Sequence, residues 1–226
     1  MKRFRVGVIR VITLEDRGLI ERHGRIMEKA YPDIETLSIC IEDQPKGIFD
    51  ESSEKIAAPK IVEAGRRLLE EGVDAIFVSC AADPAVEDLR RIATGKPVFG
   101  AGKPLAALAL AISSRVGVLG IGEEPPRPLA ATLGDALISY RRPSGVSATT
   151  DIAESLGAII EAARRLRSDG AEVIALGCTG FSTFGTAARL QRLLGIPVLD
   201  PVLAAASIIH HELIRASRLG ELLEAG

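Results

Sequence analysis

Two cysteines are the residues of this sequence best placed to do chemistry. Cys80 closes the apolar run Val73–Ser79 and is followed by Ala81-Ala82-Asp83-Pro84. Cys178 closes the run Glu172–Leu176-Gly177 and is followed by Thr179-Gly180-Phe181. Each stands eight residues after a glycine, Gly72 or Gly170, in blocks that read alike. A thiolate is a base and the thiol it becomes is an acid. Two such groups on opposite sides of one small molecule suit inversion at a carbon alpha to a carbonyl. One thiolate removes the proton; the opposite thiol delivers another to the far face of the planar carbanion. Backbone amides of Ala82 and Gly180, with the Thr179 hydroxyl, can meet charge growing on the adjacent oxygen. The small side chains of Ala81, Ala82 and Gly180 let that backbone approach a ligand, and Gly122 is expected to do the same from another loop. Asp83 before Pro84 reads as the N-cap of a helix, and Ser182 or Thr183 as the cap of its counterpart. Helix N-termini near both sulfurs would favour thiolate. Cys40, between Ile39 and Ile41, reads instead as a small buried hydrophobe. No Cys-x-x-Cys pattern points to a redox disulfide.

Positioning these groups requires strands that end beneath them. Strand-like runs occur at Arg5–Val11, Ile34–Ile41, Val73–Ser79, Pro97–Phe99, Arg115–Leu119, Leu137–Tyr140, Glu172–Leu176 and Pro197–Leu199. Helical spacing fills Asp16–Ala30, Glu54–Glu71, Pro84–Ile92, Leu105–Ile112, Ile152–Arg167, Thr183–Leu194 and Pro201–Arg218. Glu123–Pro128 reads as a loop. The alternation predicts an α/β protein with mostly parallel sheets flanked by helices. The chain also repeats itself. Arg5-Val6-Gly7-Val8 matches Arg115-Val116-Gly117-Val118, and Lys96-Pro97-Val98-Phe99 matches Ile196-Pro197-Val198-Leu199. Duplication of one α/β unit predicts two pseudo-symmetric lobes, residues 1–100 and 101–206, with 207–226 able to pack back on the first. The active site then falls in the interlobe cleft, beyond the carboxyl ends of the strands.

Composition narrows the function. Of 226 residues, 47% are hydrophobic, enough for sizeable cores, and 28 basic against 30 acidic residues leave a net charge of −2. No single-sign field exists to recruit nucleic acid or an anionic membrane, and aromatics are only 4%. No apolar run is long enough to span a bilayer, and the N-terminal stretch lacks the layout of a signal peptide. The expected setting is cytoplasmic and the expected partner a small molecule; homo-oligomerisation is compatible with the sequence. His23, His210 and His211 show no metal-ligand spacing; His23 on the first helix reads as a surface or internally satisfied group, with reach to the cleft as the alternative, and His210 and His211 on the last helix read as surface or subunit-contact residues. Gly100-Ala101-Gly102-Lys103-Pro104 and Gly117–Gly122 lack the glycine order of dinucleotide and phosphate loops.

These motifs resemble the aspartate/glutamate racemase superfamily and, within it, the hydantoin racemase group. Val73-Asp74-Ala75-Ile76 leading to Cys80-Ala81-Ala82-Asp83-Pro84 is similar to its first-half motif, and Leu176-Gly177-Cys178-Thr179-Gly180-Phe181 to its second. Pro197-Val198-Leu199-Asp200 matches the strand that follows. The resemblance implies a two-lobe α/β fold, racemase activity and no cofactor or metal. It departs after the first strand. Hydantoin racemases carry an Asn-Pro-Asn-Thr type loop there, whereas Arg10-Val11-Ile12-Thr13 keeps only Thr13 as a substrate contact. Arg10 offers a cation able to grip a carboxylate bidentately, or else to form an interlobe ion pair. A same-fold decarboxylase or cis–trans isomerase is a second reading, and a non-catalytic two-lobe protein binding a small carboxylate a third.

Overall fold

Strand and helix alternate in space as in the sequence, and they build two parallel sheets of four strands each. The computed structural model describes residues 3–224, with side chains through residue 218; the last two residues of the 207–226 segment lie outside that range. The first sheet comprises β1 (Phe4–Arg10), β2 (Ile34–Cys40), β3 (Ala75–Ser79) and β4 (Val98–Phe99) in the order β2-β1-β3-β4. Its helices are α1 (Arg17–Ala30), α2 (Glu51–Glu70) and α3 (Val86–Ile92). After α4 (Gly102–Ile112) the second sheet repeats the plan: β5 (Val116–Leu119), α5 (Arg127–Leu133), β6 (Leu137–Arg141), α6 (Leu156–Ser168) and β7 (Val173–Leu176). Then come α7 (Gly180–Thr183), α8 (Thr186–Leu194), β8 (Val198–Leu199) and α9 (Pro201–Glu224), and the strand order is β6-β5-β7-β8.

The repeated Arg-Val-Gly-Val sequence has a packing cause. A Cβ on Gly7 would stand 2.8 Å from Leu68 Cδ1, and one on Gly117 would stand 2.9 Å from Ala171 Cβ and 3.2 Å from Leu166 Cβ. In each lobe the bare strand lets a helix lie close, and Leu68 and Leu166 are both buried there. Burying one such leucine contributes about 1.5–3 kcal/mol. Two helices then cross-link the lobes. Leu105, Ala106 and Ala109 of α4 join a core with Val116, Val118, Val173 and Ala175. Val202, Ala205, Ala206 and Ile209 of α9 join one with Phe4, Val6, Val8, Ala75 and Phe77. Each lobe's closing helix therefore covers the other lobe's sheet, holding the two sets of strand ends in a fixed relation.

Several boundaries differ from the sequence reading, each for a local reason. The run read as a loop up to Pro128 contains the start of α5, because Pro128 is tolerated in a first helical turn. The helix expected over Thr183–Leu194 is broken at Gly185, which takes φ +64° and separates α7 from α8. The helix expected from Pro84 begins only at Val86, after Asp83 and Ala85 adopt φ 50° and 54°. Among the described residues no helix is long and apolar enough to cross a membrane, and no three His, Cys, Asp or Glu side chains are grouped to hold a metal.

Candidate active site

The carboxyl ends of β3 and β7 deliver the two cysteine loops to one place. Thr179 Oγ1 donates to the Ser79 carbonyl oxygen at 2.9 Å. The residue after Cys178 is thus bonded directly to the residue before Cys80. A second tie runs through His23 on α1, 1% exposed. Its Nδ1 lies 2.7 Å from Ser79 Oγ and its Nε2 2.9 Å from Thr183 Oγ1. Arg22 adds a bond from Nε to the Thr183 carbonyl oxygen at 3.2 Å. Both loops are therefore pinned from behind by one helix.

Cys80 and Cys178 are both buried, 9% and 8% exposed. Burial pushes both thiols up, because a thiolate away from water loses its solvation. The expectation of helix-stabilised thiolates is corrected here: α3 starts six residues beyond Cys80, and desolvation outweighs the amides. The surroundings otherwise differ. Around Cys80, only the Ala82 amide favours thiolate; Cys178, Asp83 and Glu54 all oppose it. Around Cys178, the Gly180 amide at 3.4 Å, the Thr149 hydroxyl at 4.0 Å, the Arg10 cation and the Phe181 amide favour it.

The candidate residues fall into three groups. Ala81, Ala82, Thr179 and Gly180 belong to the cysteine loops themselves. The amides of Ala82 and Gly180 serve the neighbouring sulfurs, and the Thr179 hydroxyl is committed to Ser79. Thr13 and Gly122 mark the walls. Thr13 Oγ1 donates to the Ile41 carbonyl oxygen at 2.9 Å and accepts from the Gln44 amide at 2.7 Å, so it fixes the 41–47 loop. Gln44 in turn donates to the Gly47 carbonyl oxygen at 3.1 Å and is buried rather than solvated. A Cβ on Gly47 would stand 3.2 Å from Thr149 Oγ1, and one on Gly122 3.5 Å from the Phe49 carbonyl oxygen. The first-lobe segment 47–49 thus lies against the second lobe, where Phe49 packs on its core. Arg10 and Asp83 form the third group. Arg10 is 4% exposed and has no carboxylate partner among the described residues; its Nη1 donates to the carbonyl oxygens of Leu19 and Ile20.

Asp83 corrects the capping assignment. It accepts from the amides of Gly102 at 2.6 Å and Lys103 at 3.0 Å, so it holds the start of α4 rather than that of α3. Its left-handed backbone turns the side chain that way. In the second lobe neither Ser182 nor Thr183 caps α8. Ser182 Oγ donates to Asp200 Oδ1 at 2.9 Å, and Asp200 accepts from the Val202 and Leu203 amides at the start of α9.

Thr149 and Glu54 escaped the sequence reading, and His23, expected as a surface or internally satisfied group, is the satisfied one, with partners the sequence did not name. A lone histidine in an amphipathic helix carries no local signal; only the tertiary contact with Ser79 and Thr183 reveals it. A surface groove of about 810 Å³ between β2 and α2 is lined by Cys40 and not by the other two cysteines. A smaller cavity of about 170 Å³ lies beside Asp83 and Pro128.

Comparison with known proteins gives a consistent result. The family described as Asp/Glu/Hydantoin racemase matches residues 25–209. A hydantoin racemase from Pseudomonas sp. (strain NS671) is 30% identical over 187 residues, covering 77% of this chain and 72% of that protein. The structure of an allantoin racemase from Klebsiella pneumoniae superposes with a TM-score of 0.75 at 25% identity, covering 94% of this chain and 89% of that one. An arylmalonate decarboxylase shares the fold at a TM-score of 0.59 and 18% identity, covering 93% and 91% of the two chains.

Proposed function

The chain belongs to the Asp/Glu/hydantoin racemase family, and from that premise we propose that it is an isomerase: a racemase that needs no cofactor and uses Cys80 and Cys178 as opposed acid and base. The observation that carries this reading is the Thr179–Ser79 hydrogen bond at 2.9 Å, which joins the two cysteine loops residue to residue. The substrate is an amino acid, a hydantoin or a related small molecule with a proton alpha to a carbonyl.

In one direction a Cys178 thiolate takes the α-proton, forming an S–H bond as the C–H electron pair passes into the adjacent carbonyl. The Cys80 thiol then protonates the opposite face, leaving thiolate at Cys80. The reverse direction exchanges the roles. Both thiols rest protonated, so one proton must leave the pair before each cycle. Loop amides supply donors for the enolate oxygen, while the Thr179 hydroxyl stays on the Ser79 carbonyl oxygen and holds the two loops together.

Retention of both cysteines supports racemisation over decarboxylation, because inversion needs a proton donor on each face. Chiral chromatography of amino acids and 5-substituted hydantoins incubated with the protein tests the reading. Interconversion of enantiomers is expected. Turnover by release of carbon dioxide, without interconversion, would contradict it.

A further inference from the structure

The racemase reading leaves the substrate's charge open, and Arg10 narrows it. Arg10 ends β1, and its guanidinium is anchored through Nη1 on the Leu19 and Ile20 carbonyls of α1. No Asp or Glu pairs with it among the described residues, and its Nε and Nη2 have no protein acceptor there. Among the described residues Ser38 Oγ is the one side-chain nitrogen or oxygen sealed from solvent and unpartnered; the free nitrogens of Arg10 therefore keep some exposure. Nε and Nη2 form one edge of the guanidinium, the two-donor fork that matches a carboxylate.

The fork stands at the reacting end of the sheet. Arg10 is in register with Ser79, whose carbonyl oxygen takes the Thr179 hydroxyl. One strand spacing, about 4.8 Å, separates it from the junction of the cysteine loops. The ionisable groups on which its charge acts are Cys40, Cys178 and His23, all neutral as they rest. A buried cation without a counter-ion is costly to keep, so the missing partner belongs to something that arrives. An uncharged ring would leave the fork empty.

This inference rests on the racemase reading and deepens it: we propose that the substrate is an anion, a small carboxylate that docks on the Nε–Nη2 edge of Arg10 and presents its α-carbon between the sulfurs.

Alkylation tests this without knowing the substrate. Iodoacetate carries a carboxylate and iodoacetamide is its neutral counterpart; peptide mass spectrometry reads the rate of each at Cys178. The iodoacetate-to-iodoacetamide ratio at Cys178 is expected to be about tenfold or more higher in the folded protein than in the urea-unfolded chain. Arg10→Gln should abolish that excess, and Arg10→Lys should keep part of it. A folded ratio no higher than the unfolded one would overturn the proposal. So would a ratio that Arg10→Gln leaves unchanged, or a Cys178 that neither reagent reaches. A protein that passes this test but exchanges no α-proton in D₂O keeps its anion site and loses the racemase reading. One that fails it while racemising neutral hydantoins does the reverse.

Discussion

The two cysteine loops come from the same repeat, yet the first is acidic and the second cationic and hydroxylated. The charges of Asp83 and Glu54 act against a thiolate at Cys80; the Gly180 and Phe181 amides, the Thr149 hydroxyl and the Arg10 charge act in favour of one at Cys178. Their carboxylates also reach one job by different routes. Asp83 comes from the cysteine loop and Asp200 from beyond β8, yet each caps the helix that follows its lobe's last strand. A Cβ on Gly100, the counterpart of Asp200, would collide with the Asp83 carboxylate. The first lobe thus moved its cap acid beside the cysteine, and the second kept it away. Equivalent backbones have become chemically unlike surroundings, and the proposed mechanism uses that difference: Cys178 gives up its proton first while Cys80 holds one.

Removing either sulfur breaks the comparison most severely. Cys80→Ser and Cys178→Ser should each lower racemisation by about 10³-fold or more. Each should retain proton exchange from one enantiomer only, and opposite enantiomers for the two variants. NMR of α-proton loss in D₂O from each pure enantiomer measures this; equal racemisation by either variant would refute the pair.

The tie behind the loops comes next. His23→Leu leaves the hydroxyls of Ser79 and Thr183 without their partner, so stability should fall by about 2 kcal/mol or more, read from urea unfolding. Burial and the nearby Arg10 charge hold the His23 imidazole neutral. If the tie also sets the spacing of the sulfurs, inversion should fall more than one-sided exchange. A stability loss with an unchanged ratio would make His23 a purely structural bridge.

The acids sharpen the contrast at smaller scale. Asp83→Asn and Asp200→Asn should each change stability by about 1 kcal/mol at neutral pH, as cap substitutions do. Of the two, only Asp83→Asn should speed alkylation of Cys80, because Asp83 and not Asp200 opposes its thiolate. Burial raises both carboxyls above the ordinary aspartate value. The folded state then binds their protons more tightly than the unfolded chain. Their titration contributes stability that is fully present below the unfolded value and is lost as pH rises through the higher folded value. Denaturant midpoints across that acidic range should show a shallower fall for either Asn variant than for the parent.

The smallest effect concerns the turns into the following helices. Ala85 enters α3 with φ 54° and Gly185 enters α8 with φ 64°. A left-handed alanine is strained where glycine is not. Ala85→Gly should therefore stabilise the protein by up to about 1 kcal/mol and Gly185→Ala should destabilise it similarly, measured by thermal unfolding.

Much of the architecture was readable because it is local and repeated. Apolar runs marked each strand, and Gly7 and Gly117 recur because a leucine must pack against each first strand. The cysteines were readable for the same reason: two strand ends in matching frames. What escaped depends on distant contacts. His23 lies 56 residues from Ser79 and 160 from Thr183, so nothing beside it in the chain hints at the bridge. Asp83 followed the local N-cap rule in the sequence, but its backbone turned left-handed and the side chain found nearer amides at Gly102 and Lys103. Thiolate character was misjudged because burial, a property of the assembled lobes, outweighs what a nearby amide supplies.

Proton transfer by two opposed thiols is the central step, and the isotope pattern at low conversion reads it most directly. One pure enantiomer of a substrate the protein racemises is incubated in D₂O and stopped at low conversion. The product enantiomer should carry deuterium at the α-carbon while the remaining starting enantiomer stays protiated. Deuterium entering both enantiomers alike, or product that keeps the original proton, would mean that one group serves both faces.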